Sequence, residues 1–445
     1  MNFESAKKIL VEAAEKAGLC EYEIYFTESS QMSAETLKDE ISSFSSGDGA
    51  GISFRCICDG HIGIAATQLF EEDELVALVK RAADNAKVIE NDDVAIIYSG
   101  SENYSTPKKP EFKMPSAADL KELALDIQKN TYSGSDLVAD GTQSGVFAEV
   151  NRYELVNSCG LELSNTISLG GEYVVAVVNK DGEAQDAFAF ELGLEKTDAI
   201  SRRALDEAEA KLGAGEIQSG KYKIILASGE MRSMLATFSS VFSGKQALLG
   251  LSLLDGKVGE KIAADCVTLV DDATKDGSYV QTAFDGEGVA TYKKNVIENG
   301  ELKTLLYDLA SAHKAGVKST ANGQRQSYAS QVNIAPFTFY IEGGKLSEDE
   351  LLEKMGNGIY ITELKGLHAG ANAVTGDFSL ESAGFLVENG KKAGYVKGFT
   401  VAGNFFELLK NIEALSNNVK FGLPSGFTVY GAPDTLISEM SVAGV

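Results

Sequence analysis

The residues most suggestive of chemistry lie between Gly366 and Ser379. These fourteen positions hold three glycines, one of the chain's three histidines (His368), Asn372, Thr375, Asp377 and Ser379. No helical or strand period runs through them, so the stretch reads as a loop. Glycine frees the backbone for positive φ and for close approach to a ligand. Polar groups at this density are what a loop beside a binding site looks like. A Gly-rich surface connection is the other reading of the same residues. Directly after it, Phe385-Leu386-Val387-Glu388-Asn389-Gly390 reads as an apolar strand entering an Asn-Gly hairpin turn.

A helix-borne zinc peptidase site needs two histidines on one face with a glutamate between them. His61, His313 and His368 are 252 and 55 residues apart, so no such pair exists. The spacing leaves either a scattered ligand set, such as His313, His368 and Asp377, or histidines that are satisfied or face solvent. No Gly-x-Ser-x-Gly elbow is present; Gly277-Ser278-Tyr279 and Leu423-Pro424-Ser425-Gly426 lack its surroundings. No phosphate loop ending in Gly-Lys-Ser/Thr occurs, and Gly286-Glu287-Gly288 is a weak dinucleotide signal. Asp271-Asp272 could take a cation, but adjacent acids at a strand end are usually just solvated. Composition and spacing thus supply no catalytic machine.

The totals narrow the setting. A chain of 445 residues makes two or three domains by the usual prior. With 44% apolar and 24% charged residues it has an ordinary globular composition. No apolar run approaches the roughly 20 residues of a membrane helix, and the N-terminus lacks the pattern of a signal peptide. A soluble, cytoplasmic protein is expected, without membrane association. The net charge of −25 argues against nucleic acid as a direct partner. The five cysteines show no framework spacing, which suggests free thiols in a reducing compartment. Cys56 and Cys58 share one face of a strand and read as core thiols.

The elements that must position these groups follow from periodicity. A helix is expected over 3–17, strands over 22–27, 34–43, 52–58 and 62–66, and a helix over 71–88. Pro107, Pro110 and Pro115 then mark a linker, placed at 91–115. Beyond it the pattern recurs. Ser116 caps a helix with Asp119 three residues on, strands follow to 192, and Thr197 caps a helix reaching about Leu212. We read this as an internal duplication, 1–90 and 116–213, within an N-terminal α+β domain spanning 1–215. From 220 to 445 a β-rich domain with short helices is expected. Its features are a helix capped by Ser228 and running to Phe242, the Asn299-Gly300 hairpin, a short helix carrying His313, and capping residues Ser347 and Asn404. The fold class is α+β.

With the C-terminal half read, the chain resembles the TldD/PmbA family, the so-called modulators of DNA gyrase, in its PmbA (TldE) branch. The likeness is carried by Gly256-Lys257-Val258-Gly259-Glu260-Lys261, Asp285-Gly286-Glu287-Gly288, Ile297-Glu298-Asn299-Gly300, Ser319-Thr320-Ala321-Asn322-Gly323-Gln324-Arg325, the Gly366–Ser379 stretch and Val387-Glu388-Asn389-Gly390. Ala290-Thr291 departs from the family, which usually has a proline nearby. The resemblance implies a cytosolic metallopeptidase system acting on unfolded or extended peptides. In it a TldD-type subunit carries a metal on a His-Glu-x-x-x-His helix plus a late cysteine, and a TldE-type subunit pairs with it. Here the corresponding stretch, Leu235-Ala236-Thr237-Phe238-Ser239-Ser240-Val241-Phe242, has no His or Glu, and the last cysteine is Cys266. The implied protein has no catalytic residues, metal or cofactor of its own. Its implied partners are a TldD-like subunit or a second copy of itself, and an extended peptide held partly by strand addition. His368, Asn372, Thr375 and Asp377 are the candidate substrate contacts, with Arg325 as a carboxylate partner; the same residues would otherwise brace the loop. An independent peptidase with an unconventional site, or a regulatory protein linked to gyrase or a toxin, are the alternatives.

Overall fold

The computed structural model describes residues 1–90, 93–195 and 198–445. Helix α1 (Phe3–Lys16) starts where the Asn2 side chain accepts the Ser5 N–H, and buries Phe3, Ala6, Leu10, Ala13 and Ala14. Strands β1 (Tyr22–Leu37), β2 (Glu40–Cys58) and β3 (His61–Thr67) follow, then α2 (Glu72–Ala86). The separate strands expected over 22–27, 34–43 and 52–58 are therefore two long ones. They turn at Lys38, which takes a φ of 58°. The polar stretch between Ser42 and Gly49 hides the continuity, because it is an exposed arm with no apolar alternation to read.

Residues 93–115 carry no regular structure. They clasp the C-terminal half: the Gln281 side chain bonds both the N–H and C=O of Lys108, at 2.9 and 2.7 Å. Helix α3 (Ala117–Gly134) opens on a capping box of Ser116 and Asp119. Strands β4 (Gln143–Asn157), β5 (Glu162–Lys180) and β6 (Glu183–Leu192) and helix α4 (Ala199–Ala210) complete this half. The expected cap Thr197 lies outside the described residues. All six strands join one antiparallel sheet in the order β3-β2-β1-β4-β5-β6. Its seam pairs β1 with β4 from Glu23↔Asn157 to Glu35↔Gly145. Helices α1 and α2 cover Phe26, Ile52 and Phe54, while α3 and α4 cover Val146, Val174 and Ala189.

The rest of the chain builds two six-stranded sheets around a larger core. Strand β7 (Gly220–Leu226) leads to α5 (Ser228–Phe238), a 3-10 turn (Ser239–Phe242) and α6 (Gly244–Leu248). Ser228 does not cap α5 as expected. It is the first helical residue, and its N–H goes to Asp434 Oδ1 at 2.7 Å. Next come β8 (Leu269–Asp272), β9 (Lys293–Glu298), β10 (Glu301–Leu302), α7 (Leu309–Ala315), β11 (Gly323–Gln324), β12 (Asn333–Ile334) and β13 (Thr338–Ile341). Helix α8 (Glu348–Met355), β14 (Gly358–Lys365), α9 (Leu367–Gly370), β15 (Asp377–Glu388), β16 (Lys391–Asn404) and α10 (Phe405–Lys410) follow. Strands β17 (Ile412–Leu415), β18 (Lys420–Phe421), β19 (Val429–Ala432) and β20 (Thr435–Ala443) end the chain. The sheet orders are β10-β9-β8-β13-β19-β18 and β16-β15-β14-β7-β20-β17. Between them α5 is buried through Met231, Met234, Leu235 and Phe238. The Phe238 ring stacks on Phe405 with centroids 4.6 Å apart. The architecture is α+β with a strand-rich C-terminal region. No described helix is long and apolar enough to cross a membrane.

Candidate functional site

The Gly366–Ser379 stretch is more ordered than its composition implies. Gly366, at φ 81°, admits the single turn of α9, and β15 already starts at Asp377. Asn372 Oδ1 accepts the N–H groups of Val374 and Thr375 at 2.9 and 3.2 Å. Thr375 Oγ1 accepts the Asp377 N–H at 3.3 Å. Asn404 Nδ2 donates to Thr375 O and to Asp377 Oδ1, both at 2.9 Å. That bond, with a smaller one from Thr375, holds the Asp377 carboxyl below the usual carboxylate range. So Asn372, Thr375 and Asp377 spend their side chains on the loop itself. His368 is exposed and makes no hydrogen bond among the described residues.

Arg325, expected to complete that group, is placed elsewhere. It is 1% exposed and ion-paired with Glu23 of β1, its guanidinium 4.8 Å from the centre of the Tyr25 ring. A guanidinium in the interior needs an internal counter-ion, and Glu23 provides it. Arg55 Nη2 reaches the other oxygen of Glu23 at 3.2 Å. Against this trio packs the Asp285-Gly286-Glu287-Gly288 turn. Asp285 accepts the N–H groups of Glu287, Val289 and Gly323 at 2.9–3.0 Å, and Glu287 Oε2 accepts that of Leu309 at 2.8 Å. Burial pushes Asp285 up to about 6. Burial, with the Asp285 charge adding to it, pushes Glu287 up to about 8. The turn is no dinucleotide loop: a Cβ on Gly286 would sit 2.8 Å from Gly323 O, so it is closed over by protein.

Asp271 is not solvated either. It is fully buried and receives Lys294 Nζ, Asn322 Nδ2 and the Phe337 N–H at 2.9, 2.7 and 2.7 Å. Nothing remains on it for a cation.

Helix α5 and the turn after it occupy the stretch where the resemblance would seat a metal. Zinc takes imidazole, thiolate or carboxylate ligands. Here Leu235, Phe238, Val241 and Phe242 point into the core. The hydroxyls of Thr237 and Ser239 cap the carbonyls of Ser233 and Ala236 at 2.8 and 2.9 Å. From β19 the Tyr430 hydroxyl closes on Ser239 Oγ at 2.9 Å. These residues do not fit a metal ion, and no group of three or more His, Cys, Asp or Glu among the described residues could hold one. At the other end of α5, Glu230 accepts the Leu364 N–H at 3.0 Å and is pushed up to about 7, chiefly by burial.

Glu23, Arg55 and Glu230 are buried or half-buried charged groups of these clusters that sequence reasoning did not single out. One signal was available: Arg55 interrupts the apolar strand 52–58, and a charge inside a buried run requires a partner.

These features define a class, a protein of three successive units built on long antiparallel strands and a helix-centred C-terminal core. Family models match in the same order: PmbA/TldA metallopeptidase domain 1 over residues 22–86, the central domain over 110–212 and the C-terminal domain over 219–444. The chain belongs to the PmbA/TldD family. It is 31% identical to an uncharacterized protein of Methanocaldococcus jannaschii, across 92% of this chain and 94% of that one. It is 24% identical to the metalloprotease PmbA homolog of Haemophilus influenzae, across 93% and 91%. The crystal structure of TldE from Thermococcus kodakarensis superposes with a TM-score of 0.89 at 25% identity, covering 99% of this chain and 100% of that one.

Proposed function

We propose that this chain is a TldE/PmbA-type subunit of a metallopeptidase pair, assisting cleavage of extended peptides by a TldD-like partner that holds the metal. The observation that carries the reading is the stretch 235–242, whose apolar side chains fill the core and whose hydroxyls at Thr237 and Ser239 bond to backbone. A surface for pairing follows it directly. Leu248, Leu249, Leu251, Leu253 and Val258 stand 40–59% exposed within eleven residues. Contiguous exposed apolar side chains of this kind mark association surfaces. A second copy of this chain would use the same ridge when no TldD-like chain is present. In the complex His368 is the loop side chain free to touch peptide, while Asn372, Thr375 and Asp377 set the loop's shape.

The test is metal content and peptide hydrolysis, measured on the purified chain alone and after mixing with a TldD-type chain. We expect no stoichiometric metal and no hydrolysis alone, and turnover in the mixture. A paired substitution, Leu249→Glu with Leu253→Glu, should abolish that complex on a sizing column while leaving the thermal midpoint unchanged. A bound divalent ion together with hydrolysis by the lone chain would overturn the reading.

A further inference from the structure

A cavity of 420 Å³ lies between the edge strand β6, helix α4 and the first turn of α5. That volume falls inside the range of about 300–1,000 Å³ typical of ligand sites. Its apolar lining is Phe188, Phe190 and Phe421. Phe188 is 52% exposed although it faces this space. Arg203, Arg232 and Lys420 line it as well. In a chain of net charge −25, three cations on one cavity run against the general trend.

Their pairing is uneven. Arg203 is engaged, with Glu191 at 3.3 Å and with Phe190 O. Arg232 makes no hydrogen bond or ion pair among the described residues. Its stem lies on the bare backbone of Gly422, where a Cβ would come 2.8 Å from Nε. Its guanidinium carbon is 5.6 Å from the centre of the Phe190 ring. Burial pulls the group below the usual arginine range, with Glu230 opposing this more weakly. Glu230 itself is committed to Leu364, and the remaining lining acid, Glu207, is pushed up by its own burial. Lys420 is exposed and likewise forms no ion pair among the described residues. A partly buried guanidinium without a carboxylate is costly, and one oriented by an aromatic face and a glycine is pre-organised to receive an oxyanion.

We propose that this cavity binds the C-terminal carboxylate of a peptide, with Arg232 and Lys420 holding the carboxylate and Phe188, Phe190 and Phe421 receiving an apolar last side chain. The ligand's being a peptide rests on the function proposed above; the site's demand for an anion with an apolar body does not.

The experiment uses the full chain without partner and two fluorescently labelled tripeptides, Ala-Ala-Phe as free acid and as C-terminal amide, at low salt. The free acid should bind at least ten-fold more tightly than the amide. Arg232→Gln should remove that preference, and Arg232→Lys should retain part of it. Lys420→Gln, at an exposed position that cannot upset folding, should reduce it and weaken its dependence on salt. Equal binding of acid and amide, no binding of either, or a preference that survives both Gln variants would each overturn the proposal. Equal binding would leave peptide binding by the chain intact, and the partner assay above is indifferent to this outcome, so the two readings fail separately.

Discussion

Replacing Glu287 by Gln should flatten part of the chain's pH profile. The Glu287 carboxyl sits at about 8 in the fold against an ordinary value of 4.5, because it is buried beside Asp285. Between those limits the folded chain keeps a proton that the unfolded chain has released. The folded state then binds more protons, so stability must fall as pH rises. The contribution is complete below about pH 4.5 and is lost by about pH 8. From pH 6 to pH 8 the loss is about 2 kcal/mol, taking about 1.36 kcal/mol for each pH step until the folded group itself begins to ionise near pH 8. Gln fills the same space and can still accept the Leu309 N–H, but it cannot ionise. The assay is the thermal midpoint of both proteins at pH 6, 7, 8 and 9. Glu172 and Glu230, each pushed up to about 7 by burial, and Lys109, pulled down to about 8 by burial, titrate in both proteins. Their effect cancels in the difference between the two profiles. Wild type should lose about 2 °C more than the variant across pH 6–8, at about 1 °C per kcal/mol for a chain of this size. Parallel profiles would refute the placement of Glu287 as a buried, proton-holding group.

Four further substitutions test the packing and the contacts around the candidate sites. Gly286→Ala forces a Cβ to 2.8 Å from Gly323 O and 3.0 Å from Arg325 Cγ, and should cost about 2 kcal/mol in denaturant unfolding. Phe238→Ala empties a fully buried ring stacked on Phe405 and should cost about 3–5 kcal/mol by the same measurement, with metal content unaltered. Asn372→Ala should speed amide exchange at Val374 and Thr375 and cost about 1 kcal/mol locally. His368→Ala should change stability by less than about 0.5 kcal/mol, so any fall in turnover of the partnered enzyme reports substrate contact.

Local chemistry was legible wherever a turn or cap is made by neighbours. Asp59-Gly60, Asp181-Gly182, Asn299-Gly300 and Asn389-Gly390 all take positive φ at both positions, as hairpin turns of that composition must. The boxes at Ser116 and Ser347 close with Asp119 and Glu350, three residues away. The turn at Lys38 carries no such residues. The polar arm it joins has no apolar face, because residues 42–49 of β2 stand in solvent while β1 opposite them reaches the core through Ala34, and the arm's strand character comes only from pairing such as Met32↔Ser46. Propensity cannot report a ladder formed with a distant partner.

The candidate sites divide along the same line. Asn372 and Thr375 bond within their own loop, so their clustering in sequence was real but pointed first to loop geometry. Arg325 finds Glu23 across 302 residues, and Arg232 meets Phe190 from the central unit and Gly422 from far along its own. No window of sequence contains both members of such a pair. What a window does contain is the mismatch: a charge such as Arg55 inside an apolar strand, or Arg232 beside the inward-packed Met231 of α5. The first mismatch is resolved by an internal carboxylate. The second is left without one, and a cation left so in a cavity is where an added anion should be sought.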